Sequence, residues 1–103
     1  MKKEKITQSD AVLLLLKYKP KSTLDIIKGE LPAYYRKDLG NVISEMADRE
    51  IIEKSLETKE MVVCFKYSLT NRGRKTLYKR FAQLRHDDST VNELEGLVYA
   101  FGM

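Results

Sequence analysis

The sequence predicts one α+β domain, mostly helical, in which a β-hairpin stands between helices. Apolar residues recur at helical spacing as far as Arg49, the period changes to two within residues 51–69, and helical spacing returns after Thr70. A chain of 103 residues has room for one core. Its 43% hydrophobic and 33% charged residues are those of a folded domain rather than a disordered tail.

The first helix is expected at about 9–18. Thr7 and Asp10 have the spacing of a capping box, and residues 11–16 (Ala-Val-Leu-Leu-Leu-Leu) are apolar nearly all round, so this helix should be the most buried. Lys19-Pro20-Lys21 ends it. Ser22 or Thr23 caps a short second helix with Leu24, Ile27 and Leu31 on one side. Pro32 suits the first turn of a third helix, expected over 33–49. There Leu39, Val42, Ile43, Met46 and Ala47 form an apolar stripe, joined by Tyr35. Tyr34, Lys37, Asn41, Ser44 and Asp48 lie opposite.

Ile51 and Ile52 open a first strand. Val63, Phe65, Tyr67 and Leu69 alternate along a second, and Glu57-Thr-Lys-Glu60 connects the two. Thr70 or Asn71 caps a fourth helix with Leu77, Phe81 and Leu84 inward, and Gly73 suits close packing. After a loop at 86–90, Thr90 and Glu93 resemble a second capping box. It opens a short amphipathic helix bearing Val91, Leu94, Leu97, Val98 and Phe101. The divisions are a basic arm (1–8), a main domain (9–85) and an acidic loop with a terminal helix (86–103).

The order α-α-α-β-β-α is the plan of a winged helix-turn-helix domain. Met46-Ala-Asp-Arg-Glu-Ile-Ile-Glu-Lys54 resembles the end of a recognition helix running into a first wing strand. Tyr67-Ser-Leu-Thr-Asn-Arg-Gly-Arg-Lys-Thr-Leu77 resembles the strand-to-helix junction of MarR-like and PadR-like bacterial regulators. The likeness covers about 9–85. It departs from the MarR-like wing, where Glu57-Thr-Lys-Glu60 replaces an Asp-x-Arg signature, and from the PadR-like pattern, where Ser22-Thr-Leu-Asp25 replaces an early Gly-Tyr pair. The resemblance implies double-stranded DNA binding, usually as a dimer, in transcriptional control.

Charge agrees with a polyanionic partner. All 19 basic residues lie in 1–85 beside 11 of the 15 acidic ones, while 86–103 holds four acids and no Lys or Arg. On the third helix, Asn41 suits adenine, Lys37 suits guanine or phosphate, and Tyr34 and Ser44 suit phosphate, with Arg36 on the flank for backbone contact. Lys59 belongs near the hairpin tip, and Lys54 and Lys66 could add contacts from the strands. Solubilising surface charge explains the three hairpin lysines equally well. Lys2, Lys3 and Lys5 read as a solvated terminus rather than a groove-binding arm. In the basic run 66–85, Arg74 is given a structural role, with Asp87, Asp88 or acids of the third helix as candidate partners for the run.

Two fates are open to the terminal stripe Val91, Leu94, Leu97, Val98 and Phe101: packing on its own domain, or pairing with a second copy. Pairing in a homodimer is expected. One cysteine, Cys64, excludes an intrachain disulfide and a cysteine-based zinc site, and reads as a packing residue. His86 beside Asp87 and Asp88 lacks further ligands, so no metal or other cofactor is expected. With one His and one Cys, no phosphate-cradling glycine loop and no nucleophile elbow, the chain is not expected to be an enzyme. No run approaches the about 20 apolar residues of a membrane span and no signal peptide is recognised, so a cytoplasmic protein with no membrane partner is expected. The competing function is a winged-helix module that binds protein rather than DNA, favoured by a weakly basic wing and the acidic segment after residue 85.

Overall fold

A run of six apolar residues can be helical and satisfied only if protein surrounds it, and α1 (Gln8–Tyr18) is placed accordingly. The computed structural model describes residues 5–85 and 88–102. Around α1 stand α2 (Leu24–Glu30), α3 (Leu39–Asp48), α4 (Asn71–Leu84) and α5 (Asp88–Gly102), and residues 11–16 are all buried at its centre. Two antiparallel strands, β1 (Ile52–Lys59) and β2 (Val62–Leu69), complete an α+β architecture that is mostly helical. Lys2, Lys3, His86 and Asp87 lie outside the described residues. The chain is anchored from its first described residues: Ile6 is in the core, and the Lys5 carbonyl accepts from Arg80.

The expected caps form where hydroxyls precede helices. Thr7 and Asp10 exchange both bonds of a capping box, Thr23 caps α2, and the Thr70 hydroxyl accepts from the Gly73 amide. Thr70 also donates that hydroxyl to the Glu50 carbonyl at 2.6 Å, tying the start of α4 to the end of α3. Ile27 and Leu31 enter the core, whereas Leu24 of the expected α2 stripe is partly exposed.

The expected continuous helix over 33–49 is corrected. A single 3-10 turn, Ala33–Tyr35, is followed by a break, and α3 begins only at Leu39. Asp38 has left-handed backbone geometry (φ 51°, ψ 33°). The Gln8 side-chain amide donates to the carbonyls of Tyr35 (3.0 Å) and Lys37, oxygens that a continuous helix would have used for itself. The apolar spacing from Tyr35 to Leu39 runs straight across this break because both residues are core in either arrangement.

At its other end α3 closes with the Ile51 amide on the Met46 carbonyl (3.2 Å) and the Glu50 amide on the Ala47 carbonyl (3.0 Å). Those are the two bonds of a Schellman motif, and its left-handed position is held by Glu50 (φ 61°), where glycine is the unstrained residue. Glu50→Gly is therefore expected to stabilise the protein by about 0.5–1 kcal/mol in urea denaturation. A loss of stability would contradict this view of the turn.

The connector expected at 57–60 is also shorter than its sequence suggests. Strand pairing continues to Lys59 opposite Val62, leaving a two-residue turn at Glu60 and Met61. Both have positive φ (51° and 67°), as a type I′ hairpin turn requires. Ile52 and Leu69 bury the base of the hairpin, and Ser22 bridges to Tyr67 on the outer side of β2. Beyond that base the hairpin projects from the core, in a molecule 51 Å along its longest axis and 24 by 23 Å across.

Candidate nucleic-acid interface

Because Leu39, Ile43 and Met46 bury one side of α3, the helix must present the other to solvent. Asn41 and Ser44 are exposed there, with Glu45 and Asp48 further along. Tyr34, Arg36 and Lys37 stand on the preceding turn and break, so the four-residue stripe expected on one helix is divided between two pieces of backbone. The Tyr34 ring is 78% exposed and lies edge-on to Tyr35, with ring centres 5.1 Å apart. Arg36 is partly committed to the fold, since its Nε donates to the Leu31 carbonyl at 2.7 Å.

The start of α3 is chemically open. Asp38 makes no side-chain cap, and its carbonyl already accepts from the Asn41 and Val42 amides (3.0 and 3.1 Å), so the amides of Leu39 and Gly40 are the ones left for an anion. Gly40 is exposed, and a Cβ built there would meet nothing within 4 Å. Lys37 precedes this opening and Asn41 follows it.

The hairpin has two unlike faces, because paired residues across strands share a side. One carries Glu53, Ser55, Glu57 and Lys59 on β1, with Val62, Cys64, Lys66 and Ser68 on β2. Lys66 is paired with Glu57 at 2.8 Å. That hydrogen bond, the Lys66 charge and the weaker fields of Lys21 and Lys59 hold the Glu57 carboxyl below its ordinary range. Three lysines thus act on one carboxylate, a more basic surface than the string Glu57-Thr-Lys-Glu60 suggests. Lys21 was missed by sequence reasoning: it enters through the Ser22–Tyr67 bridge, a pairing for which no local signal exists.

The other face carries Lys54, Leu56 and Thr58 with Val63, Phe65 and Tyr67. Lys54 Nζ stands 3.9 Å from the centre of the Phe65 ring, a cation–π contact that occupies a residue expected to reach a partner. Leu56 is 62% exposed and Met61, at the tip, 97%. Cys64 is half-buried.

The dimer stripe is corrected for its principal members. Leu94, Leu97 and Phe101 are buried within their own domain, where α5 packs on α1. Val91 and Val98 remain half-buried and line a groove of about 310 Å³ with Phe81, Arg85 and Tyr99. The helix begins at Asp88, so the expected Thr90–Glu93 cap is not its start. Instead Glu93 accepts from the Tyr35 hydroxyl. Burial, and then this carboxylate, push the Tyr35 phenol well above its ordinary range.

One member of the basic run has a partner in α1, while the expected Asp87 and the side chain of Asp88 lie outside the described residues. Arg80 meets Asp10 of α1 through two bonds, Nε to Oδ1 at 3.0 Å and Nη2 to Oδ2 at 2.9 Å. Arg74 donates to Asn71 one turn earlier in its own helix, and Arg72, Arg74, Lys75 and Lys79 are all exposed. Among the described residues no group of three His, Cys, Asp or Glu could hold a metal, and no helix is long and apolar enough to cross a membrane. Comparison with protein-family models, curated proteins and solved structures finds no match to this chain.

Proposed function

We propose that the chain is a small transcriptional regulator that binds double-stranded DNA through a winged helix-turn-helix domain. The observation that carries the reading is the exposed start of α3, where Lys37, Gly40, Asn41 and Ser44 leave a polar, unobstructed surface beside uncapped helix amides. In this reading α3 enters the major groove. The hairpin is the wing, with Lys59, Lys66 and Lys21 toward the adjacent backbone. The Ser22–Tyr67 bridge supports it by adding a third, minimal strand to the hairpin, as a winged helix would have. Tyr34 and Arg36 serve phosphates from the turn before α3.

The rival reading, a protein-binding module, draws on the exposed apolar residues Leu56, Met61, Val62, Val63 and Phe65 of the hairpin. A comparison of Asn41→Ala with Lys59→Ala, on duplexes selected from a random pool and on random duplex, separates the two. Asn41→Ala should cost about 1–3 kcal/mol on the selected site and little on random DNA, because a bidentate contact to a base edge is lost. Lys59→Ala should weaken both alike and lower the salt slope by about one unit or less. Equal losses for Asn41→Ala on both duplexes would mean that α3 does not read bases through that residue. No duplex binding by the wild type would favour the rival.

A further inference from the structure

We propose that the outer edge of β1 pairs with β1 of a second copy of this chain, antiparallel and centred on Leu56, to give a four-stranded sheet across a two-fold axis. The proposal does not rest on the DNA reading, although it gives Lys59, a phosphate contact in that reading, a partner in Glu53 of the second copy, which is why its test is made without DNA. It assigns self-association to the hairpin rather than to the terminal helix, whose Leu94, Leu97 and Phe101 are already consumed in the core.

The backbone is prepared for it. Tyr67 exchanges both its amide and its carbonyl with Ser22, so these groups point away from β1. Tyr67 lies opposite Lys54, and in an antiparallel ladder such a pair also turns the Lys54 amide and carbonyl outward. The alternation extends this to Leu56 and Thr58. Among the described residues β1 has β2 on one side only, and its eight residues contain no proline.

The side chains select one register. With Leu56 opposite its own copy, Lys54 faces Thr58 and Ser55 faces Glu57, while Glu53 faces Lys59 on both sides of the axis. Outward-pointing residues meet only outward-pointing ones, giving about six backbone hydrogen bonds by the antiparallel pattern. A shift of one residue pair either way fails: centring on Ser55 sets Glu53 against Glu57, and centring on Glu57 sets that glutamate against itself. Centring on Lys54 opposes two lysines. Only a three-residue overlap centred on Thr58 would also pair opposite charges, and it is too short to compete.

The Leu56 register also joins apolar surface. Leu56 is paired with Phe65 inside each hairpin, so a row Phe65–Leu56–Leu56–Phe65 would run across all four strands. These are residues the monomer leaves exposed, at 62% for Leu56 and 49% for Phe65. Edge lysines commonly block such pairing, but here Lys59 meets Glu53, and Lys54 meets an uncharged threonine while lying over Phe65.

Sedimentation equilibrium on the full chain, without DNA, tests this with charge exchanges. Wild type should be a dimer at high micromolar concentration. Glu53→Lys and Lys59→Glu should each place two like-charged pairs across the axis and raise the dimer dissociation constant about tenfold or more. Mixing the two variants restores both attractive pairs in a heterodimer, and so does combining them in one chain, so association should return in both cases. Leu56→Pro, which removes an outward amide without touching a bond to β2, should abolish association. Circular dichroism establishes that each variant is folded, and the mixing experiment protects against a mere loss of fold. A wild type that stays monomeric overturns the proposal. So does a dimer indifferent to these exchanges, or one broken instead by Val98→Asp in the α4–α5 groove.

Discussion

Gly73→Ala is expected to cost about 3 kcal/mol or more, although alanine is the better helix former by roughly 1 kcal/mol. A Cβ at Gly73 would lie 1.9 Å from the carbonyl oxygen of Ile51 and 2.9 Å from its carbonyl carbon. Neither atom can rotate away. The Ile51 carbonyl accepts from the Thr70 amide (3.3 Å), and the Thr70 hydroxyl holds both the Gly73 amide and the Glu50 carbonyl. The glycine is therefore the point where the start of α4 passes against the chain leaving α3, and relief requires separating the two. In thermal denaturation the loss should lower Tm by roughly 4–8 °C for each kcal/mol. A loss below about 1 kcal/mol would show that the junction relaxes readily, contrary to this packing. Gly40→Ala is its control, because a Cβ there meets nothing.

Asp10→Ala is expected to be comparably damaging, by about 2–4 kcal/mol. One carboxylate, 7% exposed, closes the α1 capping box and receives both bonds from Arg80. Its removal leaves a guanidinium that is three-quarters covered with less of its compensation. The Arg80 bonds to Gln83 and to the Lys5 carbonyl soften that penalty, which keeps the figure below the upper end for a broken buried pair. Replacing both partners should cost less than the sum of the single changes, since neither charge is then stranded. Additive losses in that double-variant cycle would mean that the pair is not coupled and that Asp10 acts as a cap alone.

These two positions also show what a single sequence reveals and what it withholds. Thr7 and Asp10 are visible as a cap because the motif is local. The partner of Asp10 is not, because Arg80 lies 70 residues away. Gly73 is visible inside Leu69-Thr70-x-x-Gly73, and the strand faces follow from alternation. The start of α3 is hidden from the sequence for a related reason. Apolar spacing from Tyr35 to Leu39 survives the break, and what decides it is a glutamine 27 residues away whose amide takes the Tyr35 carbonyl. The α5 stripe could be recognised as apolar, but its spacing does not say whether α1 or another molecule covers it. Lys21 reaches the hairpin lysines only through a bridge between strands that share no sequence neighbourhood. Local periodicity thus defined the elements, while the composition of the candidate surface depended on contacts between distant residues.

Duplex DNA binding is the central proposal, and the measurement that tests it most directly is the affinity of the purified full chain for a fluorescent duplex across a salt series. If four to six phosphates are contacted by the α3 start and the hairpin lysines, log K should fall against log salt with a slope of about −4 to −5. Absence of binding at ~50 mM salt, or a slope near zero, would contradict the account and assign the exposed surfaces to a protein partner.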